Sequence, residues 1–268
     1  MQNRYIGDLG DFGKYALLKA LCLGNNKGRT LNLGVIWYLV PDESHNEDGK
    51  HIRYLQETPS NIQRFRNLDP LLYDTLGKIV NKGERNIKSI KENRILPSNT
   101  IFYEEPLTFK GMPNNSPRAR QARQEYRDKW VHNAMEATKG CDIIFVDPDN
   151  GLEVKSVKRH HKIGPKYVFY EELLPYIKRG QSLIIYHHLC RNGTAEEQIK
   201  ERLYQIKKEL DVEDVFGMLY KRGTLRIFFV VPSDGNYDLL FMRSKYLIQE
   251  TLWKEHFDLY TDKGKLFK

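Results

Sequence analysis

The chain has 268 residues, 40% of them hydrophobic and 12% aromatic, which is enough to bury a core and excludes a disordered tail or a collagen-like or low-complexity repeat. Lys and Arg number 43 against 35 Asp and Glu, a net charge of +8 that favours polyanionic partners without requiring one. The three cysteines, Cys22, Cys141 and Cys190, are scattered without CxxC spacing, which argues against a disulfide framework or a Cys-based zinc site and for a reducing, cytoplasmic setting.

In chain order, a Gly/Asp cluster at 7–11 opens the chain, and Asp11 can cap a helix that runs to about Leu23 and stops at Gly24-Asn25-Asn26. No apolar h-region follows the first residues, so a signal peptide is not expected. Leu31–Val40 is β-branched, aromatic and mostly apolar, as a buried parallel strand reads; Pro41 ends it and an acidic loop follows with Asp42, Glu43, Glu47 and Asp48. Residues 51–96 are polar, helical in pattern and broken by Pro59, Pro70, Gly77 and Gly83, a helical insertion. Strands are expected at Thr100–Glu104, Cys141–Val146, Ser182–Tyr186, Leu225–Val231 and, more briefly, Leu239–Met242. Helices are expected at Pro117–Thr138, Glu171–Lys178, Thr194–Leu210 and Tyr246–Phe257, and none of the apolar runs spans a membrane. Strands alternating with helices predict one α/β domain over 1–268, with a mostly parallel sheet covered on both faces. In such sheets ligands lie beyond the carboxyl ends of the strands, which is where Asp42 and Glu43, Glu104 and Glu105, Asp147–Asn150 and His187-His188 fall.

Four patterns carry possible chemistry. Asp147-Pro148-Asp149-Asn150-Gly151 follows a buried strand, which would hold Asp147 rigidly at the crevice; the same residues also read as a β-turn. The opening arm, with Gly7, Asp11, Lys14 and Tyr15, leads glycines into a helix start that attracts anions, but it is neither a P-loop nor a GxGxxG fingerprint and also reads as a simple capped helix. Arg118, Arg120, Arg123 and Arg127, with the loop residues Lys158 and Arg159, can form a phosphate-tracking surface or a solvated helix face. His187 and His188 point to opposite sides of a strand, so they do not share a metal and no zinc site is assigned.

At the arm and at 142–151 the chain resembles the Rossmann-fold S-adenosylmethionine-dependent methyltransferases. Its layout is most similar to the bacterial group that methylates N6 of adenine in large-subunit ribosomal RNA. That group has a Gly-(Asn/Asp) arm, an Ala-Asp, a Lys-His pair opening a helix and a later Asp-Pro-Pro-aromatic motif. Here Gly7-Asp8, Asp11, Lys14-Tyr15 and Asp147-Pro148-Asp149-Asn150 stand in a similar order. The resemblance implies a class I methyltransferase sheet, S-adenosylmethionine as cofactor and a nucleic-acid base amine as substrate. It places Gly7, Asp11, Lys14, Tyr15, Asp42 and Glu43 near the cofactor, Glu104 or Glu105 on its ribose, and Asp147 with Pro148 on the target amine. The chain departs from the pattern at Asp149 (second proline), Asn150 (aromatic) and Tyr15 (histidine).

Two other readings stay open. A metal-dependent nuclease or phosphodiesterase would hold a divalent ion on Asp147, Asp149 and Glu153, although Asp149 and Glu153 are closer in sequence than the PD-(D/E)xK pattern places its carboxylates. A catalytically degenerate nucleic-acid-binding module would keep only the basic surface.

Overall fold

Short, apolar strands build the frame. The computed structural model describes residues 1–23, 29–44, 49–113, 116–190 and 193–267. The strands are β1 (Leu33–Ile36), β2 (Ile101–Tyr103), β3 (Ile143–Val146), β4 (Gly151–Leu152), β5 (Tyr167–Val168), β6 (Ser182–His188), β7 (Phe216–Tyr220), β8 (Arg226–Val231), β9 (Phe257–Thr261) and β10 (Gly264–Leu266). Eight of them form one sheet in the order β2-β1-β3-β6-β8-β7-β9-β10, and β4 and β5 pair separately. From β2 to β6 every pairing is parallel; from β6 to β10 every pairing is antiparallel. The fold is α/β and Rossmann-like, as expected, with a mixed sheet in which only β8 and β9 run against the other strands.

Period-two alternation divides the core into two. Val35, Phe145, Ile184 and Phe228 face one side, and Ile36, Ile144, Ile185 and Phe229 face the other. The first side is covered by α1 (Leu9–Leu23), α3 (Pro70–Asn81), α4 (Ile87–Glu92) and α8 (Tyr237–Gln249), while α2 (Pro59–Arg64) buries none of its residues. The second is covered by α5 (Pro117–Ala137), α6 (Tyr170–Lys178) and α7 (Ala195–Leu210). Residues 51–96 are mostly helical, with one 3-10 turn before α2 and another between α2 and α3, and Tyr54, Phe65, Leu76 and Ile90 share the core of Phe12 and Leu17. Phe12 lies 5.4 Å from the Tyr54 ring and 6.3 Å from that of Tyr73. Cys22 is buried in the first core and Cys141 in the second, whereas Cys190 is exposed.

Three expectations are corrected. Asp8, rather than Asp11, caps α1: its Oδ1 accepts the Asp11 N–H at 2.8 Å and the helix begins at Leu9. The expected strand at Leu239–Met242 is part of α8, because an apolar run of four has no period of its own and Leu240, Ser244 and Leu247 fall on one buried helical face. The expected terminal helix ends at Gln249, and its last residue, Phe257, begins β9. The expected stop at Gly24–Asn26, and Glu47 and Asp48 of the acidic loop, lie outside the described residues.

Candidate functional site

The Asp147 N–H donates to the Ile36 carbonyl at 3.0 Å, extending the β1–β3 ladder by one residue. Its side chain leaves the sheet where β3 and β6 end and the antiparallel β8 begins. A cavity of about 420 Å³ opens there, lined by Asp147, Pro148, Asp149 and Asn150 on one side and by Asp8, Asp11 and Lys14 on the other. Lys14 reaches across from α1, and its ammonium donates to Asp147 Oδ2 at 2.7 Å and to Asp11 Oδ1 at 2.8 Å. All three side chains are buried. Burial opposes the lysine's charge, but Asp11 and Asp147 outweigh it and hold the amine protonated far above neutral pH. Burial lifts the Asp11 carboxyl to about 6 against the pull of Lys14. Asp11 Oδ2 accepts the Tyr15 hydroxyl at 2.9 Å and the Gly7 N–H at 3.3 Å.

α1 approaches the sheet this closely because it carries glycines where other residues would collide. A Cβ on Gly10 would lie 2.3 Å from Arg226 Cζ, and one on Gly13 would lie 2.5 Å from the Tyr220 ring. The arm glycines within the helix thus serve packing. Arg226, at the start of β8, lies 3.5 Å from Asp8 Oδ2, donates to the Thr224 carbonyl at 3.0 Å and faces His188 across the β6–β8 ladder. Burial disfavours its charge, yet Tyr186 and Asp8 keep the guanidinium protonated.

The opposite rim is a chain of charges. Lys166 lies 2.5 Å from Glu43 Oε1 and 3.2 Å from Asp149 Oδ2, and Gln2 donates to Asp149 Oδ2 at 2.9 Å. Burial would raise the Asp149 carboxyl, but the Met1 amino group and Lys166 hold it below its ordinary value. Below the rim Gly151 has φ +103°, and a Cβ there would lie 2.3 Å from His187 Nδ1. That nitrogen accepts the Leu152 N–H at 3.1 Å, and burial pushes the imidazole down to about 3, so His187 is neutral and structural while His188 lines the cavity.

The structure therefore brings together Asp11, Lys14, Glu43, Asp147, Pro148, Asp149 and Asn150 around one cavity. Tyr15 stands behind it, in the core, with its hydroxyl on Asp11, and Gly7 binds the same carboxylate. Asp42 accepts the Arg4 N–H at 3.3 Å and lines a neighbouring cleft. Glu104 and Glu105 do not line the cavity, which corrects their expected place on a ribose there: they follow the edge strand β2, beyond β1. The expected metal triad is also separated, since Asp147 pairs with Lys14 and Asp149 with Lys166, while Glu153 accepts the Tyr170 N–H at 2.8 Å. Among the described residues no cluster of His, Cys, Asp or Glu is arranged to hold a metal ion.

The expected basic face of α5 is corrected as well. Arg118, Arg120 and Lys158 are exposed, but Arg123 is buried with its guanidinium 6.0 Å from the centre of the Phe109 ring. Arg127 is wholly buried, bonded through Nε at 2.5 Å and Nη2 at 3.0 Å to Glu172. Burial alone would raise the Glu172 carboxyl, and Arg127 and Arg159 hold it low. Arg159 also pairs with Asp128 at 2.7 Å and Glu171 at 2.9 Å. Arg127 and Arg159 tie α5 and the 158–166 loop to α6, which leaves Arg118, Arg120 and Lys158 as the exposed cations of the expected surface. Sequence reasoning missed Lys166 and Arg226 and gave Asp8 no role beyond its place beside Gly7; Arg226 left a signal, as the one charged residue in an otherwise apolar strand.

The cavity has the volume of a small-molecule site. Its side chains are five carboxylates (Asp8, Asp11, Glu43, Asp147 and Asp149) against three cations (Lys14, Lys166 and Arg226), with the Met1 amino group beside them. An excess of anionic groups around a walled hollow favours a cationic ligand. Asp147 Oδ2 is fixed by Lys14, whereas its Oδ1 accepts no hydrogen bond from the described residues.

No family model matches the chain, and no curated protein does. Among solved structures it is similar to a Legionella pneumophila protein described as LPL1258, of family model DUF519, at 11% identity and a TM-score of 0.42, over 94% of this chain and 96% of that one. Among the described residues no helix is long and apolar enough to cross a membrane.

Proposed function

We propose that the chain is an S-adenosylmethionine-dependent methyltransferase acting on a base amine of a nucleic acid. The observation that carries this reading is the Asp147 carboxylate, fixed at a strand end through Oδ2 and with Oδ1 free of bonds from the described residues, in a cavity with an excess of carboxylates. That donor set fits the group: carboxylates around a sulfonium and an ammonium, and Arg226 or Lys166 for a carboxylate. When bound, the cofactor supplies an electrophilic methyl group. Asp147 Oδ1 accepts a hydrogen bond from the target amine and so orients the nitrogen lone pair. Lys14, held protonated, fixes Asp147 through Oδ2, and catalysis comes mainly from positioning. Asp147 is a positioned acceptor and not a strong base, since an amine needs no deprotonation before it reacts; the proton that the methylated nitrogen sheds would pass along the same hydrogen bond to Asp147 or to solvent. The net charge of +8 supports a polyanionic substrate.

The test is Asp147→Asn, which keeps the shape but removes the charged acceptor. Methyl transfer from a tritiated donor to bulk RNA or DNA is expected to fall by roughly 100-fold or more. S-adenosylhomocysteine affinity by calorimetry is expected to stay within about threefold, because Asp147 acts on the amine. Wild-type protein that gives no heat with S-adenosylhomocysteine refutes the reading.

A further inference from the structure

A second cleft, of about 460 Å³, adjoins the cavity and shares Glu43 and Lys166 with it. It lies between the segment after β2 and the 158–166 loop, and its character is different. Leu107, Phe109, Met112, Ile163 and Pro165 give it apolar walls, and the exposed Lys110 and Lys162 stand at its mouth. The Phe109 ring is buried beneath the cleft and fixed by two neighbours: Arg123 packs 6.0 Å from its centre and Tyr126 meets it edge-on at 6.2 Å. Ile163 is 50% exposed, an apolar side chain held in solvent beside a lysine. Lys110, Lys162 and Lys166 outnumber Asp42 and Glu43 here, the reverse of the balance in the first cavity. Apolar and aromatic walls with ammonium groups at the entrance match the amphiphilic chemistry of a nucleotide, a flat base joined to a phosphate.

We propose that this cleft binds the nucleotide next to the target base in an unpaired strand, its base packed on the exposed Ile163 and its flanking phosphates on Lys110 and Lys162. The inference rests on the methyltransferase reading for the word target, and adds to it that the substrate is single-stranded at two adjacent positions. The Glu43–Lys166 pair is the partition across which the strand passes one base to each side.

The experiment uses the whole chain and a fluorescein-labelled, unstructured RNA strand of roughly 12 nucleotides, with the DNA strand of the same sequence as a second arm. Lys110→Glu with Lys162→Glu is expected to weaken binding at least about tenfold and to lower the slope of log affinity against log salt by about 1.4, two single-strand phosphate contacts. In a strand carrying 2-aminopurine, binding is expected to change the emission in wild type and not in Ile163→Asp. These residues are at the surface, and a preserved melting temperature confirms that each variant is folded. Unchanged affinity and slope in the double-lysine variant, or identical 2-aminopurine emission in wild type and Ile163→Asp, overturns the cleft. S-adenosylhomocysteine thermal shifts on the same proteins report on the first cavity alone. A shift retained while strand binding is unaltered leaves the methyltransferase reading standing without this cleft. Strand binding lost as expected, with no shift even in wild type, retains the cleft and removes that reading.

Discussion

His187 and His188 are adjacent in the sequence and opposite in fate. Alternation along β6 turns His187 into the core, where its Nδ1 takes the Leu152 N–H, and turns His188 to the cavity. The folded His187 titrates at about 3, below the ordinary imidazole, so the fold favours its neutral form. Its contribution to stability is fully present above about pH 6.5 and is lost as pH falls toward 3. Between pH 7 and pH 5 this one group is expected to remove about 2 kcal/mol. Urea melts of wild type and His187→Asn at both pH values check this: the variant starts less stable but loses less on acidification. Equal losses in the two proteins would contradict the assignment. The same strand logic made Asp147 legible, since a carboxylate just beyond IIFV has nowhere to go but the crevice. The partner of Asp147 was not legible, because the Lys14–Asp147 bond joins residues 133 positions apart. Lys14 read as part of a helix start that attracts anions, whereas its ammonium is a buried link between helix and sheet.

At the scale of elements, α1 shows how small residues set distance. Alanine is the better helix former by about 1 kcal/mol, so Gly→Ala within a helix is stabilising where space allows. At Gly77 on α3 a Cβ meets nothing within 4 Å, whereas at Gly13 it lies 2.5 Å from the buried Tyr220 ring. Gly77→Ala is expected to raise stability by up to about 1 kcal/mol, and Gly13→Ala to lower it by about 1–3 kcal/mol as α1 is pushed off β7. Denaturant midpoints compare the two, and a stabilising Gly13→Ala would mean that α1 is not wedged against the ring. The central strands were readable because IIFV is uniformly apolar and SLIIY nearly so, as doubly covered strands are. β7 was not, since FGMLY carries a glycine that Ile227 packs against and lacks β-branched residues, and β9 and β10 carry polar residues on outward faces. On α5 the arginines misled because charge was weighed above position: Ala119, Arg123, Trp130 and Ala134 form one buried stripe, and Arg123 and Arg127 lie within it.

Taken whole, the molecule is a sheet between two helical layers, and each layer encloses a different thiol. Burial pushes the Cys22 thiol up to about 12 and that of Cys141 up to about 11, so neither is a competent thiolate at neutral pH. Cys22 belongs to the layer of α1, and Cys141 to that of α5. With iodoacetamide, native protein is expected to be carboxamidomethylated promptly at Cys190 alone, with the two buried sites following at the rate of local opening. Peptide mass spectrometry resolves the sites, and prompt reaction at Cys22 would show that α1 lifts readily from the sheet. Gly13→Ala is expected to hasten Cys22 and leave Cys141 nearly unchanged. The chain thus carries its own pair of stopwatches, one on each side of the sheet, by which the breathing of either half can be timed without introducing a new residue.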